Sequence, residues 1–272
     1  MISGPLLAGT RRIWRTSTIW WPLGWFLYVF GVGWAVILIS ETFDMATYLR
    51  TMPAQFLGAF GIEVLDTGGD KYLGVLYYLT TEIFGPGVYM MAIFAAFLAP
   101  SLVARDVDQG TLDTLLSRPI TRRQYIWTRF AHFGLVAVAM GAAVLAGAVI
   151  SFGLIGGYEI PWRGFLIVAV LFTLGCLAFG GVAFAVSAAA LSTSAGAIAV
   201  FVALAAMVLL NVFRSVADWL DVPARVSFFA YWRPTEVLIR QHVDPAAPLV
   251  FAGVAIVFAV AAAEIFHRRD LV

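Results

Sequence analysis

The sequence predicts an all-α integral membrane protein. Six transmembrane helices are expected, with an amphipathic interfacial helix at the N-terminus, a cytoplasmic elbow between spans 2 and 3, and short outer helices before spans 2 and 6. Three observations carry this. Of 272 residues, 62% are hydrophobic and only 12% charged, whereas a soluble domain carries about a quarter charged residues. A water-soluble fold of this composition would expose apolar patches that soluble monomers avoid. Six apolar runs approach the roughly 20 residues that a membrane helix needs: Ile19–Ser40, Phe84–Ala104, Phe133–Gly157, Phe165–Ala190, Ala195–Phe213 and Leu249–Phe266. Basic residues also gather on alternate connections. The stretches between the runs are too short for an independent soluble domain, so residues 1–272 read as one transmembrane domain. Any soluble machinery must come from another chain.

The first run follows Arg11, Arg12 and Arg15. It is span-length and lacks a small-residue cleavage site, so it reads as a retained helix rather than a signal peptide. Before it, Leu6, Leu7, Thr10, Ile13, Trp14 and Ser17 share a helical face that the arginines avoid. This suits a short amphipathic helix at the headgroups; a basic leader that only sets topology is the other reading. With both termini inside, the inner side holds Arg11, Arg12, Arg15, Arg105, Arg118, Arg122, Arg123, Arg129, Arg268 and Arg269. Against these stand Asp106, Asp108, Asp113, Glu264 and Asp270, and the outer side is net acidic. The bias places both termini in the cytoplasm.

Two outer segments are long. Glu41 to Ile83 includes an amphipathic stretch, Met45–Phe60, and a Thr67-Gly68-Gly69-Asp70 turn signal; Arg214–Pro248 is rich in aromatics and proline. Gly85-Pro86-Gly87 should break or kink the start of the second span. Small residues recur every fourth position at Ala139, Ala143, Gly147 and Ser151, at Gly181, Ala185 and Ala189, and at Ala195, Ala199 and Ala203. Such stripes let helix backbones approach closely, either within the chain or at a subunit interface.

Several functions are excluded early. The net charge of +1 gives no electrostatic support for nucleic-acid binding. The single cysteine, Cys176, rules out an intrachain disulfide and a cysteine metal cluster. His132, His242 and His267 fit no metal-ligand spacing. The one lysine, Lys71, follows Asp70, so a Gly-Lys phosphate loop is impossible. Glu82 and Glu264 sit near span ends, where a transport role competes with simple snorkelling to water. No nucleophile motif supports an intramembrane hydrolase.

The informative stretch joins spans 2 and 3. Gly110 can interrupt the helix after Asp106 and Asp108. Leu112, Leu115 and Leu116 then recur at helical spacing. Pro119 disfavours helix at Arg118, and Thr121 with Gln124 makes a capping-box pattern that starts the next helix. An elbow with an apolar ridge and charges of both signs suits docking into a groove on a soluble partner. A basic loop on anionic lipid is the competing reading.

Asp106-x-Asp108-x-Gly110-Thr111-Leu112-x-x-Leu115-Leu116-x-x-Pro119-x-x-Arg122 resembles the cytoplasmic signature of ABC-2-type transporter permeases. Ser227-Phe228-Phe229-Ala230-Tyr231-Trp232-Arg233-Pro234 is similar to the aromatic-proline segment before their last span. Phe266-His267-Arg268-Arg269-Asp270-Leu271 is similar to their usual ending. One departure is that the acidic pair is Asp rather than the commoner Glu. The resemblance implies the permease subunit of an ATP-driven exporter or flippase in the plasma membrane, supplying half of a pore built by two permeases, alike or different. Two copies of a separate ATP-binding subunit would carry ATP and Mg, and this chain would hold no cofactor and perform no hydrolysis. Asp106, Asp108, Gly110, Thr111, Leu112, Leu115, Pro119 and Arg122 would form the coupling elbow. Leu112 and Leu115 could equally pack on their own third span, and Arg122 could be a topogenic charge. A membrane scaffold or sensor that recruits an ATPase without transport is the alternative function.

Overall fold

The computed structural model describes residues 4–39, 51, 53, 71–112, 119–155, 160–213, 219 and 221–269. Among them every regular element is helical. Helix α1 (Gly4–Ile13) and α2 (Arg15–Ile39) are separated only by Trp14. Backbone bonds run through that joint, from the Trp14 N–H to the Thr10 carbonyl (2.9 Å) and from the Thr18 N–H to the Trp14 carbonyl (3.0 Å). Helix α3 (Lys71–Leu79) passes into a π-helical turn, Thr80–Phe84, before α4 (Gly87–Asp108). Next come α5 (Arg122–Ile155), α6 (Trp162–Ala190), α7 (Thr193–Phe213) and the short α8 (Asp221–Ala224). A 3-10 turn at Phe228–Ala230, α9 (Pro234–Leu238) and α10 (Ala246–Arg268) complete the described fold.

Five segments are long and apolar enough to cross a membrane: Thr80–Asp108, Arg122–Leu154, Trp162–Ala190, Thr193–Phe213 and Ala246–Arg268. Each overlaps one of the apolar runs, and α2 covers the remaining run. The helix extends furthest beyond its apolar run in α5, which begins at Arg122, where the Thr121–Gln124 capping box places it, well before the run's first residue, Phe133. Apart from Thr51 and Pro53, Met45–Phe60 lies outside the described residues, as does the Thr67–Asp70 turn.

Gly85-Pro86 does interrupt the helix. Pro86 has no N–H to offer the Glu82 carbonyl four residues back, which accepts from the Tyr28 hydroxyl at 3.0 Å. At the same break the Phe84 carbonyl accepts from the Trp232 indole N–H at 2.7 Å, in a buried contact. A Cβ at Gly87 would overlap that indole ring. The aromatic-proline segment thus seals the broken helix. Its Phe228 lies edge-on between Phe179 and Phe251, at centroid distances of 4.8 and 5.1 Å.

Helix α6 is the hub, packing on α4, α5, α7 and α10. Small residues set these approaches: Gly141 of α5 lies against Thr173, Gly180 against the Phe133 ring, and Gly181 against the Ala255 backbone and Phe258. Cys176 is fully buried there. On α7 the tight contact is Gly196, one residue off the Ala195–Ala199–Ala203 stripe, because Gly196 meets Ser187 and Pro100. Helix α4 is 72% buried over its apolar window and α7 only 17%, so α7 is peripheral.

Helix α5 lies beside α1–α2 along its length. Thr10 touches Arg129, Gly147 meets Val29 and the Phe26 carbonyl, and the Ser151 hydroxyl donates to the Phe30 carbonyl at 3.2 Å. The two chains advance in step and parallel, so α1 continues the line of α2 along α5. The amphipathic N-terminal segment therefore buries its Thr10 side against protein while Arg11, Arg12 and Arg15 stay exposed.

Candidate coupling site

The ends of α4, α6 and α10 and the starts of α1, α5 and α7 meet at one end of the bundle. The site is built there from two matched helix termini. Helix α4 stops in a Schellman arrangement: the Gly110 N–H bonds the Val107 carbonyl (3.0 Å) and the Thr111 N–H bonds the Asp106 carbonyl (2.9 Å). Gly110 has φ +66°, the left-handed region that glycine enters without Cβ penalty. Helix α5 starts with a reciprocal capping box. The Thr121 N–H donates to Gln124 Oε1 (2.9 Å) and the Gln124 N–H to Thr121 Oγ1 (3.1 Å).

Between these termini stands a buried ion pair. Arg129 Nη2 lies 2.5 Å from Asp106 Oδ2, with side-chain exposures of only 3% and 17%. The Tyr125 hydroxyl donates to the same carboxylate oxygen at 2.7 Å. Arg129 Nη1 donates to Thr10 Oγ1 at 3.2 Å, and the Thr10 hydroxyl donates onward to the Leu6 carbonyl at 2.8 Å. The Arg129 guanidinium also sits 5.1 Å from the Tyr125 ring centroid. Phe266, from the C-terminal motif, stacks on that ring at 5.5 Å. Arg105 adds a second cation–π contact, 5.0 Å over Trp14.

Around this centre the other predicted residues scatter. Asp108 is exposed, and its Oδ2 accepts from the Thr193 hydroxyl at 2.6 Å, joining α4 to the start of α7. Gly110, Thr111 and Pro119 are exposed. Leu112 is 5% exposed and belongs to the protein's own core, while Leu115 lies outside the described residues. Arg122 donates to the Arg269 carbonyl. Glu264 bridges Arg123, at 2.6 Å, and Arg268, so its carboxylate is engaged at a surface latch between α5 and α10.

The sequence marks Arg129 only as a topogenic charge, places Thr10 on the shared face of the N-terminal helix, and does not single out Tyr125. The available signal is the four-residue spacing of Tyr125 and Arg129, which puts both on one helical face. The bond from Arg129 to Thr10 arises only through tertiary packing. At the opposite end of the bundle, a cavity of about 260 Å³ is lined by Tyr72, Trp162, Arg163, Leu238 and Gln241, among others.

No curated protein matches the sequence. A family model described as ABC-2 family transporter protein matches residues 35–271. The match runs from the last turns of α2 past the end of α10 and so takes in the elbow, the Trp232 seal and the Phe266 ending. The chain therefore belongs to the ABC-2 family of transporter proteins, the membrane-embedded component of ABC transport.

Proposed function

We propose that this chain is the permease subunit of an ATP-driven exporter or flippase, coupled to its ATP-binding subunit through the elbow from Asp106 to Arg122. Members of the family generally work with such a subunit. In this reading α2 is a sixth span, both termini face the cytoplasm across the plasma membrane, and the arginine-rich end of the bundle is the cytoplasmic one. Two such permeases, identical or different, enclose the pathway, and two partner ATPases carry ATP and Mg.

The observation that supports the reading is the pair of matched termini. A connection with no partner needs only a polar turn. Here α4 is stopped by a glycine-dependent motif and α5 is restarted by a capping box, so the two helix ends that flank the link are both fixed. The exposed side chains leading into it are Asp108, Gln109 and Thr111. Helix α5 contains 34 residues, which at about 1.5 Å per residue is about 50 Å long. A bilayer core is about 30 Å thick, so the first turns of α5 stand clear of the hydrocarbon. The apolar spans mildly favour a hydrophobic or amphipathic cargo.

Gly110→Pro tests this reading. Proline cannot adopt φ +66° and removes the N–H that closes α4 on Val107. The variant should insert normally, yet the co-purified complex should lose most of its permease-dependent ATP hydrolysis. Wild-type hydrolysis in that variant would contradict the assignment of the elbow.

A further inference from the structure

We propose that Arg129 is a positioning residue that ties the elbow to the N-terminal helix. Displacement of the elbow by the ATP-binding subunit then reaches α1–α2 as well as α4 and α5. The inference rests on the coupling reading above and adds a recipient of the motion.

Three observations carry it. First, Arg129 spans the junction itself, with one Nη on Asp106 at the end of α4 and the other on Thr10 of α1. The Arg105–Trp14 contact independently joins α4 to the joint between α1 and α2. Second, the junction is a poor device for stability alone. Replacing a buried ion pair by well-packed apolar groups is often neutral or stabilising, so what the pair supplies is a fixed relation between elements. Third, among the described residues the buried side-chain nitrogens or oxygens without a hydrogen-bond partner are Arg129 Nε and both ring nitrogens of His132. All lie within one turn of α5 at this junction. Spare buried donors and acceptors allow a second arrangement to form bonds that this one lacks, as an element with two positions requires.

The in-step packing of α2 on α5 gives the motion a continuous path. A push on Asp106 is delivered through Arg129 to Thr10, and from there into α2 through the Trp14 joint, whose N–H bonds the Thr10 carbonyl and whose carbonyl accepts the Thr18 N–H. Asp106 thus acts through Arg129 rather than by touching the partner, because its carboxylate faces inward.

The test measures amide hydrogen exchange in the permease–ATPase complex, in lipid nanodiscs, with and without a nonhydrolysable ATP analogue and Mg²⁺. In the wild type, exchange should change severalfold both in the elbow, residues 105–112, and in residues 4–14. Thr10→Val removes the hydroxyl that receives Arg129 at nearly constant volume. It should keep the elbow response and reduce the N-terminal one severalfold, leaving only what the Arg105–Trp14 contact carries, and Thr10→Ser should restore it. An N-terminal response undiminished in Thr10→Val overturns the inference, as does a wild-type elbow response without an N-terminal one. A wild-type elbow that ignores the nucleotide overturns the coupling reading itself, and this inference with it.

Discussion

Arg129 and Asp106 are 23 residues apart in sequence and share one oxygen–nitrogen contact, so neither residue announces the other. Removing one partner of a buried pair leaves an uncompensated charge, at a cost of about 3–5 kcal/mol. Asp106 retains 17% side-chain exposure, which places Arg129→Gln near the lower limit, about 3 kcal/mol. Thermal unfolding in detergent should show the loss, and adding Asp106→Asn should recover much of it. Gly110→Ala keeps the Schellman N–H but forces an L-residue to φ +66°, at a cost of about 1–2 kcal/mol. Its coupling defect should therefore be milder than that of Gly110→Pro, as the ATP hydrolysis of the two complexes would show. The glycine and the capping box were legible because their bonds close within six residues. Thr10 and Tyr125 were not, because a hydroxyl in an apolar stretch gains its role only when α1 is laid against α5. Leu112 shows the same limit from the other side: of the two surfaces its sequence allowed, partner or own protein, it is buried in its own protein's core, a choice that only tertiary packing makes.

The helices themselves were legible wherever apolar length decided them, and less so where polar termini or interruptions did. Helix α4 is the clearest case. The break at Gly85-Pro86 could be read from composition, but not the means by which it is tolerated, since Trp232 donates to the Phe84 carbonyl across 148 residues. Trp232→Phe should cost about 1–3 kcal/mol by leaving that buried carbonyl unpaired, seen as a lowered midpoint in thermal unfolding. Gly196 makes the close approach of α7 to Pro100 and Ser187. Gly196→Leu should force α7 outward, at roughly 1–3 kcal/mol for overpacking. Because α7 is the least covered of the five long apolar segments, its displacement should be detected by enhanced protease cleavage of its connections while the α6 core persists. The small-residue stripes identified which helices approach closely but not the exact contact on α7, because the neighbouring proline of α4 sets that position.

For the whole molecule, the proposed orientation puts the arginine-rich end of the bundle in the cytoplasm, and labelling can check it. Cys176 is fully buried, so single cysteines report cleanly. Gly9→Cys and Gln241→Cys both lie at exposed positions, at opposite ends of the bundle. A membrane-impermeant maleimide applied to intact cells should label Gln241→Cys at once and Gly9→Cys only after permeabilisation. The reverse order would invert the topology. The way the helix termini are shared between the two ends has a further consequence. The end that holds the elbow collects the starts of α1, α5 and α7 and the finishes of α4, α6 and α10. Peptide dipoles entering and leaving that face are therefore balanced, three against three. Its electric field is left to side chains alone, so attraction between this face and an acidic surface should weaken steeply as ionic strength rises and the screening length contracts.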